Sequence, residues 1–195
     1  MPHIKPLRRV ELPQFEALFQ RYDQIRGFLP NSILTMARRP AIADAFMKLN
    51  QTILYEGTVP ESLKMLISLI TSQASGCRYC QAHMANLSSV YENDDAKIRA
   101  VWEFETSPLF SDAERAALRL AYHAALVPNE VSAEDFERLR FYFSDDEIVE
   151  IVASIALFGY LNRWNDTMAT ELEDVPAQVA TRAIGSVGWE PGKHG

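Results

Sequence analysis

The stretch SGCRYCQAH, residues 75–83, holds the only two cysteines of the 195-residue chain, three positions apart, and one of its four histidines. A long apolar run, residues 63–74, precedes it, and helix-like sequence follows. Because Ser75-Gly76 interrupts the apolar run, the pattern predicts that a second helix opens at Cys77. We interpret the stretch as a redox-active segment at the start of a helix, which the rest of the chain buries and holds in position.

Length and composition are those of one globular domain, with 48% hydrophobic and 23% charged residues. The net charge of −7 argues against a nucleic-acid-binding surface, which would need a basic face. The first ten residues lack the apolar segment of a secretory signal, and no apolar run reaches the roughly 18 residues of a membrane span. We therefore expect a cytoplasmic protein without nucleic-acid or membrane partners. In a reducing compartment, a lone Cys-x-x-Cys pair is more often catalytic or metal-binding than structural.

Hydrophobic periodicity predicts an all-α fold of about eight or nine helices, because no segment alternates with period two for long enough to form a strand. The tail, residues 174–195, is either an ordered arm or a frayed end. The predicted helices are 11–26, 31–38, 41–54, one that opens at 58–61, 77–90, 94–105, 111–126, 133–142 and 145–170.

Three short motifs predict helix starts by reciprocal capping: Thr58–Glu61, Ser111–Glu114 and Ser144–Glu147. The first of them starts a helix that is apolar all round and is therefore predicted to be central. In the longest helix, Val149, Val152 and Ala156 are among the residues predicted to be buried. Trp102 is predicted to face inward from its own helix.

Residues 63–86, in which an apolar helix leads into Gly-Cys-x-Tyr-Cys-x-x-His, resemble the carboxymuconolactone decarboxylase superfamily, in particular its alkylhydroperoxidase D-like, peroxidase-related branch. The resemblance continues through 118–129 and 143–172, where LNRWNDTMATEL looks like that family's closing helix. It implies a single-domain helical bundle, assembly as homotrimers or homohexamers, and thiol–disulfide chemistry that reduces hydroperoxides with the help of an external thiol reductant. We expect no cofactor and no bound metal.

The resemblance also divides the chain. Residues 58–173 form the family core with its Cys-x-x-Cys, residues 1–57 are an N-terminal helical extension of the same domain, and residues 174–195 are a C-terminal arm.

Two positions depart from the family's proton relay. The usual glutamate, twelve residues before the first cysteine, is Met65 here, and the usual histidine, seven residues after it, is Met84. His83 stands one residue earlier, turned by about 100° but still within reach of Cys80 along a helix. The resemblance thus carries over Cys77, Cys80 and His83 as site residues, and implies that any relay carboxylate comes from elsewhere in the fold.

Redox chemistry needs one thiolate to attack and a second thiol to resolve the product, and Cys77 and Cys80 at a helix start provide both. The positive end of the helix dipole favours ionisation, most of all at Cys77. His83 is the nearest group that could take the thiol proton. From the sequence, either cysteine could meet the peroxide first.

Other interpretations of these residues remain open at this point. Cys77 and Cys80 could be ordinary buried residues, or could bind zinc with His83 and either His123 or a carboxylate. His123 could also face the thiols as the proton shuttle, and Glu61 could be a relay rather than a helix cap. At the level of function, the alternatives are a lactone decarboxylase-type lyase of the same superfamily and a redox-responsive oligomeric binding protein without turnover.

Overall fold

The structure, a computed structural model, describes residues 1–195 and contains ten α-helices, five short 3-10 turns and no strand, which confirms the all-α prediction. The tail is ordered and contributes the tenth helix. The helices are α1 Glu16–Arg26, α2 Asn31–Met36, α3 Pro40–Tyr55, α4 Glu61–Ala74, α5 Arg78–Val90, α6 Asp95–Arg99, α7 Asp112–Ala125, α8 Ala133–Leu139, α9 Asp145–Met168 and α10 Asp174–Ile184. None of them combines the length and the apolarity that crossing a bilayer requires.

Helix α4 is the centre of the fold, as its all-round apolar sequence predicts. Ten of its fourteen residues are buried, and it contacts α5, α7 and α9. Met65, at the position of the family's relay glutamate, is completely buried in this core. A carboxylate at that position would therefore have to replace packed apolar surface.

The break between α4 and α5 places the first cysteine at a helix entrance. Gly76 has φ +75°, a left-handed conformation that glycine adopts without the penalty of a side chain. Cys77 then follows in an extended conformation as the N-cap of α5, and its Sγ accepts a hydrogen bond from the Cys80 backbone N–H at 3.5 Å. The predicted helix entrance at Cys77 is thus present.

The capping box predicted at Thr58–Glu61 is wrong, because Pro60 is the N-cap of α4 and no side chain of this segment caps the helix. A carboxylate from a distant helix serves this segment instead: Glu150 of α9 accepts hydrogen bonds from the backbone N–H groups of Thr58 and Val59 at 2.9 Å and 3.1 Å. Such a tertiary contact leaves no local signal in the sequence. The boxes at Ser111 and Ser144 are both present.

Four burial predictions are also wrong, and one of them concerns Ala156, which is exposed in the same groove as Val152. Val149 is 68% exposed and Val152 is 40% exposed, because α9 carries apolar residues on more than one face, and Val152 lines an open groove beside α7. Trp102 is 53% exposed and packs its ring edge against Tyr122. The helix predicted over 94–105 ends at Arg99 and continues as a 3-10 turn, which changes the direction of the following side chains.

The two ends of the chain cover α5 from different sides. Helix α10 packs against α5 and α6, and Trp189 behind it donates its indole N–H to the Arg78 carbonyl at 3.2 Å. The last turn, Gly192–His194, is held by a hydrogen bond from the Leu172 N–H to the His194 carbonyl at 2.8 Å. At the start of the chain, α1 to α3 supply residues that enclose the side of α5 carrying Cys80.

Candidate dithiol site

Cys77 and Cys80 lie within one turn of each other at the start of α5, and both are free thiols buried from solvent. Burial raises the pKa of the Cys80 thiol well above its usual value, and the hydrogen bond and charge of Cys77 raise it further. The Asn165 amide of α9 donates to the Cys80 Sγ at 3.4 Å and opposes this rise. For Cys80, burial and the neighbouring Cys77 therefore outweigh the hydrogen bond from Asn165, and a nearby base is needed to remove the proton of the thiol.

His83 is held by a carboxylate that the sequence motif does not contain. Its Nε2 lies 2.7 Å from Oε2 of Glu173, the residue that precedes α10. The other oxygen of Glu173 accepts a hydrogen bond from the Tyr79 hydroxyl at 2.9 Å and one from the backbone N–H of Asn31. The Tyr79 ring stacks on the imidazole at 4.3 Å between centroids, and Phe28 meets it edge-on. Position and orientation of His83 are thus fixed on several sides.

Charge and burial act in opposite directions on the Glu173 carboxyl. Burial alone would raise its pKa, but the charge and hydrogen bond of His83, together with the Asn31 N–H, outweigh burial and hold the pKa of Glu173 below its usual range. A lowered pKa keeps the carboxylate ionised at neutral pH. An ionised Glu173 can both orient the imidazole and stabilise its protonated form.

Cys80 and His83 open onto one narrow cavity of about 40 Å³ that also reaches Asn165 and side chains of α1, α2 and α3. Cys77 does not line this cavity. The sequence left open which thiol meets a substrate, and the geometry favours Cys80. Met84, at the family's usual histidine position, lines the same cavity as an apolar wall.

Cys77 has a separate neighbourhood, made by the end of the chain. Its Sγ, a carboxylate oxygen of Asp166 and a ring nitrogen of His194 lie within 4.8 Å of one another. The Nδ1 of His194 is 2.8 Å from the Thr170 carbonyl oxygen, whereas its Nε2 is buried without a hydrogen-bond partner. Asp166 is already paired with Lys193 at 2.8 Å. We therefore interpret this cluster as a site where His194 can accept a proton, rather than as a metal site.

Two of the residues considered from the sequence lie outside the site. His123 faces Asp135, with 3.0 Å between its Nδ1 and the carboxylate, where α7 meets α8, and so it supplies neither a zinc ligand nor a proton shuttle at the thiols. Glu61 is exposed at the start of α4, the far end of that helix from Cys77. Sequence reasoning missed Glu173, which contacts His83, and His194, which lies near Cys77, because neither residue belongs to the cysteine motif.

The structure is an all-helical bundle with a buried Cys-x-x-Cys at a helix start and a fixed histidine one turn further on. These features place the protein in a class of all-helical dithiol proteins. The model of the carboxymuconolactone decarboxylase family matches residues 40–123. With the structural relatives described next, the match shows that this chain belongs to the carboxymuconolactone decarboxylase superfamily, in its alkylhydroperoxidase D-like branch.

Among solved structures, the debrominase Bmp8 is 39% identical with a TM-score of 0.84, over 90% of this chain and 95% of the debrominase. A cysteine-to-alanine variant of that debrominase, in complex with 2,3,4-tribromopyrrole, gives 37% identity and a TM-score of 0.86 over 92% and 96% of the two chains. An alkylhydroperoxidase AhpD core protein from Ralstonia eutropha, described as peroxidase-related, is 26% identical with a TM-score of 0.80, over 90% and 94% of the chains.

A curated relative, the uncharacterised protein YnjA of Escherichia coli K12, is 31% identical over 116 residues, 60% of this chain. The match spans about three fifths of the length of that relative, 61%.

Proposed function

We propose that this protein is a dithiol oxidoreductase that reduces a small electrophilic substrate at Cys80 and is left with a Cys77–Cys80 disulfide. The observation that carries the proposal is that Cys80 and His83 share one cavity, while Cys77 stands one helical turn behind Cys80. His83 takes the proton of Cys80, and Glu173 orients the imidazole and stabilises its charge. An external thiol reductant then reopens the disulfide.

With a hydroperoxide as substrate, the Cys80 thiolate attacks the outer oxygen. The S–O bond forms, the O–O bond breaks, and the alkoxide leaves as an alcohol with the proton that His83 holds. Cys77 then attacks the Cys80 sulfur, so that an S–S bond forms and hydroxide leaves as water with the proton of Cys77. An external dithiol returns two electrons and two protons by thiol–disulfide exchange.

Thiol counting tests this cycle. One equivalent of an organic hydroperoxide should remove both free thiols of the chain, and a dithiol should restore them. Cys77→Ser should stop at a Cys80 sulfenic acid that dimedone traps, whereas Cys80→Ser should leave the remaining thiol unreacted. If both thiols stay titratable in excess peroxide, the proposal fails. Oxidation that changes mass or assembly without repeated turnover would point to the redox-responsive binding protein instead.

A second substrate class is favoured by the similarity to the debrominase, which covers nearly the whole chain. In a reductive debromination, the dithiol supplies two electrons, a carbon–bromine bond is replaced by carbon–hydrogen, and bromide and a proton are released with one disulfide. Incubation of the reduced protein with 2,3,4-tribromopyrrole should then release bromide in step with thiol loss. Release in the absence of thiol loss would contradict this route. A lyase activity, in contrast, would survive Cys77→Ser combined with Cys80→Ser.

Assembly as a homotrimer or homohexamer remains part of the proposal. It is supported by the open groove of about 870 Å³ between α7 and α9, which exposes Val152, Ala156 and Gly159. Static light scattering coupled to size exclusion measures the mass directly, and a monomer at micromolar concentration would remove this part of the proposal.

A further inference from the structure

The cavity at Cys80 adjoins a second cavity that lies further from the thiol. It shares Tyr22, Arg26 and Asn50 with this outer cavity, which has a volume of about 260 Å³ and lies between α1 and α3. A cavity of roughly 150 Å³ already holds a benzene ring. The outer cavity is therefore wide enough for a small ring-bearing ligand whose reactive end continues towards Cys80.

Arg26 stands where the two cavities meet, and it has no acidic partner. Its guanidinium donates to the Tyr55 hydroxyl at 2.9 Å and lies 5.2 Å from the centre of the Tyr22 ring, while the ion pairs of the protein do not include it. By contrast, Arg9, in a short turn that precedes α1, engages both Glu16 and Asp23. A guanidinium is a rigid fork of five donors that suits a carboxylate, and most of the Arg26 donors have no protein acceptor.

The charged side chains around Arg26 are mostly positive. Arg21 and Lys48 also line the outer cavity, against the single acidic residue Asp44. This local positive charge contrasts with the net charge of −7 of the whole chain. A concave surface of one sign raises the local concentration of ligands of the opposite sign.

We infer that Arg26 is an anion-binding residue that selects small organic acids as substrates for Cys80. The ionised group of such a substrate pairs with Arg26, its apolar body lies against Ile25 and Met47 of the outer cavity, and its electrophilic atom enters the inner cavity. The Asn50 amide, buried on α3 and common to both cavities, is a second polar contact on the way. The inference rests on the proposed function only for the identity of the reacting thiol.

Alkylation with a charged and a neutral reagent tests the inference without turnover. Iodoacetate and iodoacetamide react by the same step, in which the thiolate forms an S–C bond and iodide leaves, but only iodoacetate carries a carboxylate. We expect Arg26→Gln to lower the iodoacetate-to-iodoacetamide rate ratio at Cys80 about tenfold, the effect of one charge-assisted hydrogen bond. Arg26→Lys, which keeps the charge, should retain most of the ratio. Mass-resolved peptides separate Cys80 from Cys77.

Arg39→Gln is the matched control, because Arg39 is an exposed arginine of the same extension that lines neither cavity. An equal ratio in Arg26→Gln and Arg39→Gln would overturn the inference. A measurement on the unaltered protein covers the case in which Arg26→Gln does not fold. Benzoate should slow the reaction of iodoacetamide with Cys80, and benzamide at the same concentration should not. Equal effects of the two would also overturn it.

The outcomes separate this inference from the proposed function. If peroxide and tribromopyrrole leave both thiols unchanged while the alkylation ratio depends on Arg26, the redox function fails and the anion site stands. If the thiols are oxidised and reduced in turn while the alkylation ratio does not depend on Arg26, the redox function stands and the anion site fails.

Discussion

Oε2 of Glu173 lies 2.7 Å from Nε2 of His83, although ninety residues separate the two in the chain. Because the other carboxylate oxygen is occupied by Tyr79 and Asn31, Glu173 cannot turn away from the imidazole without losing two further hydrogen bonds. A hydrogen on Nε2 that points at this carboxylate leaves Nδ1 as the nitrogen that accepts a proton. We therefore propose that this pair supplies the base that the buried Cys80 thiol needs.

Glu173→Gln should slow the reaction of Cys80 with peroxide at pH 7 by about a hundredfold, at the low end of what a positioned base contributes. The amide keeps the shape of the side chain but cannot stabilise a protonated His83. Stopped-flow thiol oxidation measures the rate. Glu171→Gln is the control, since Glu171 is exposed two residues earlier. Equal rates in the two variants would show that Glu173 has no part in proton transfer.

A comparison of two histidines tests which one serves the thiols. His83→Asn should reduce the rate of Cys80 oxidation by about a hundredfold or more, because it removes the base itself, whereas His123→Asn should leave the rate unchanged, because His123 faces Asp135 between α7 and α8. His123→Asn should instead lower the free energy of unfolding by about 1 kcal/mol, as expected for a lost hydrogen bond to a buried carboxylate. Thiol oxidation and urea unfolding of the same samples give both numbers. A slower oxidation in His123→Asn would reverse this assignment.

Particular residues show how much of the structure could be predicted from the sequence. The helix entrance at Cys77 and the caps at Ser111 and Ser144 are local, since residues at most three positions apart decide them, and all three were predictable. Glu173 and His194 were not, because their contacts with α5 depend on how the tail folds back. Val152 shows a third case: its apolar side chain belongs to a helix face that lines an open groove, and periodicity alone does not distinguish such a face from a core.

The same limit applies to Glu150, whose role at the start of α4 no local motif indicates. Backbone N–H groups of Thr58 and Val59 and the ammonium group of buried Lys64, at 2.9 Å, outweigh the effect of burial and lower the pKa of Glu150 to about 2. A carboxyl with a lowered folded-state pKa stabilises the fold at pH values above its unfolded pKa, near 4.3. That contribution is lost as the pH falls from there towards 2.

Glu150→Gln should therefore lower the free energy of unfolding at pH 7 by about 3 kcal/mol, because Lys64 keeps a buried charge without its partner. The difference between the variant and the unaltered protein should shrink between about pH 4.5 and pH 2, where Glu150 itself becomes protonated. Urea unfolding across this range measures both effects. Glu137→Gln, an exposed position on α8, should change stability by less than about 0.5 kcal/mol. A constant difference down to pH 2 would contradict the lowered pKa.

His194 lies near the second thiol, and its hydrogen bonds suit it to accept a proton there. Nδ1 faces the Thr170 carbonyl at 2.8 Å, which requires a hydrogen on that nitrogen and leaves the buried Nε2 with its lone pair. Burial lowers the pKa of His194, against the opposing effects of the Thr170 carbonyl and Asp166. The imidazole is thus neutral at pH 7, within 4.8 Å of the Cys77 Sγ.

His194→Gln should slow the second step of the cycle and spare the first. Cys80 should be oxidised at the normal rate, but closure of the disulfide should slow about a hundredfold, the low end of the loss expected when a proton acceptor is removed from an attacking thiol. The Cys80 sulfenic acid should then accumulate, and dimedone should trap more of it than in His3→Gln, whose histidine is exposed. If His194 only holds the tail in place, both steps should slow together and dimedone labelling should not rise.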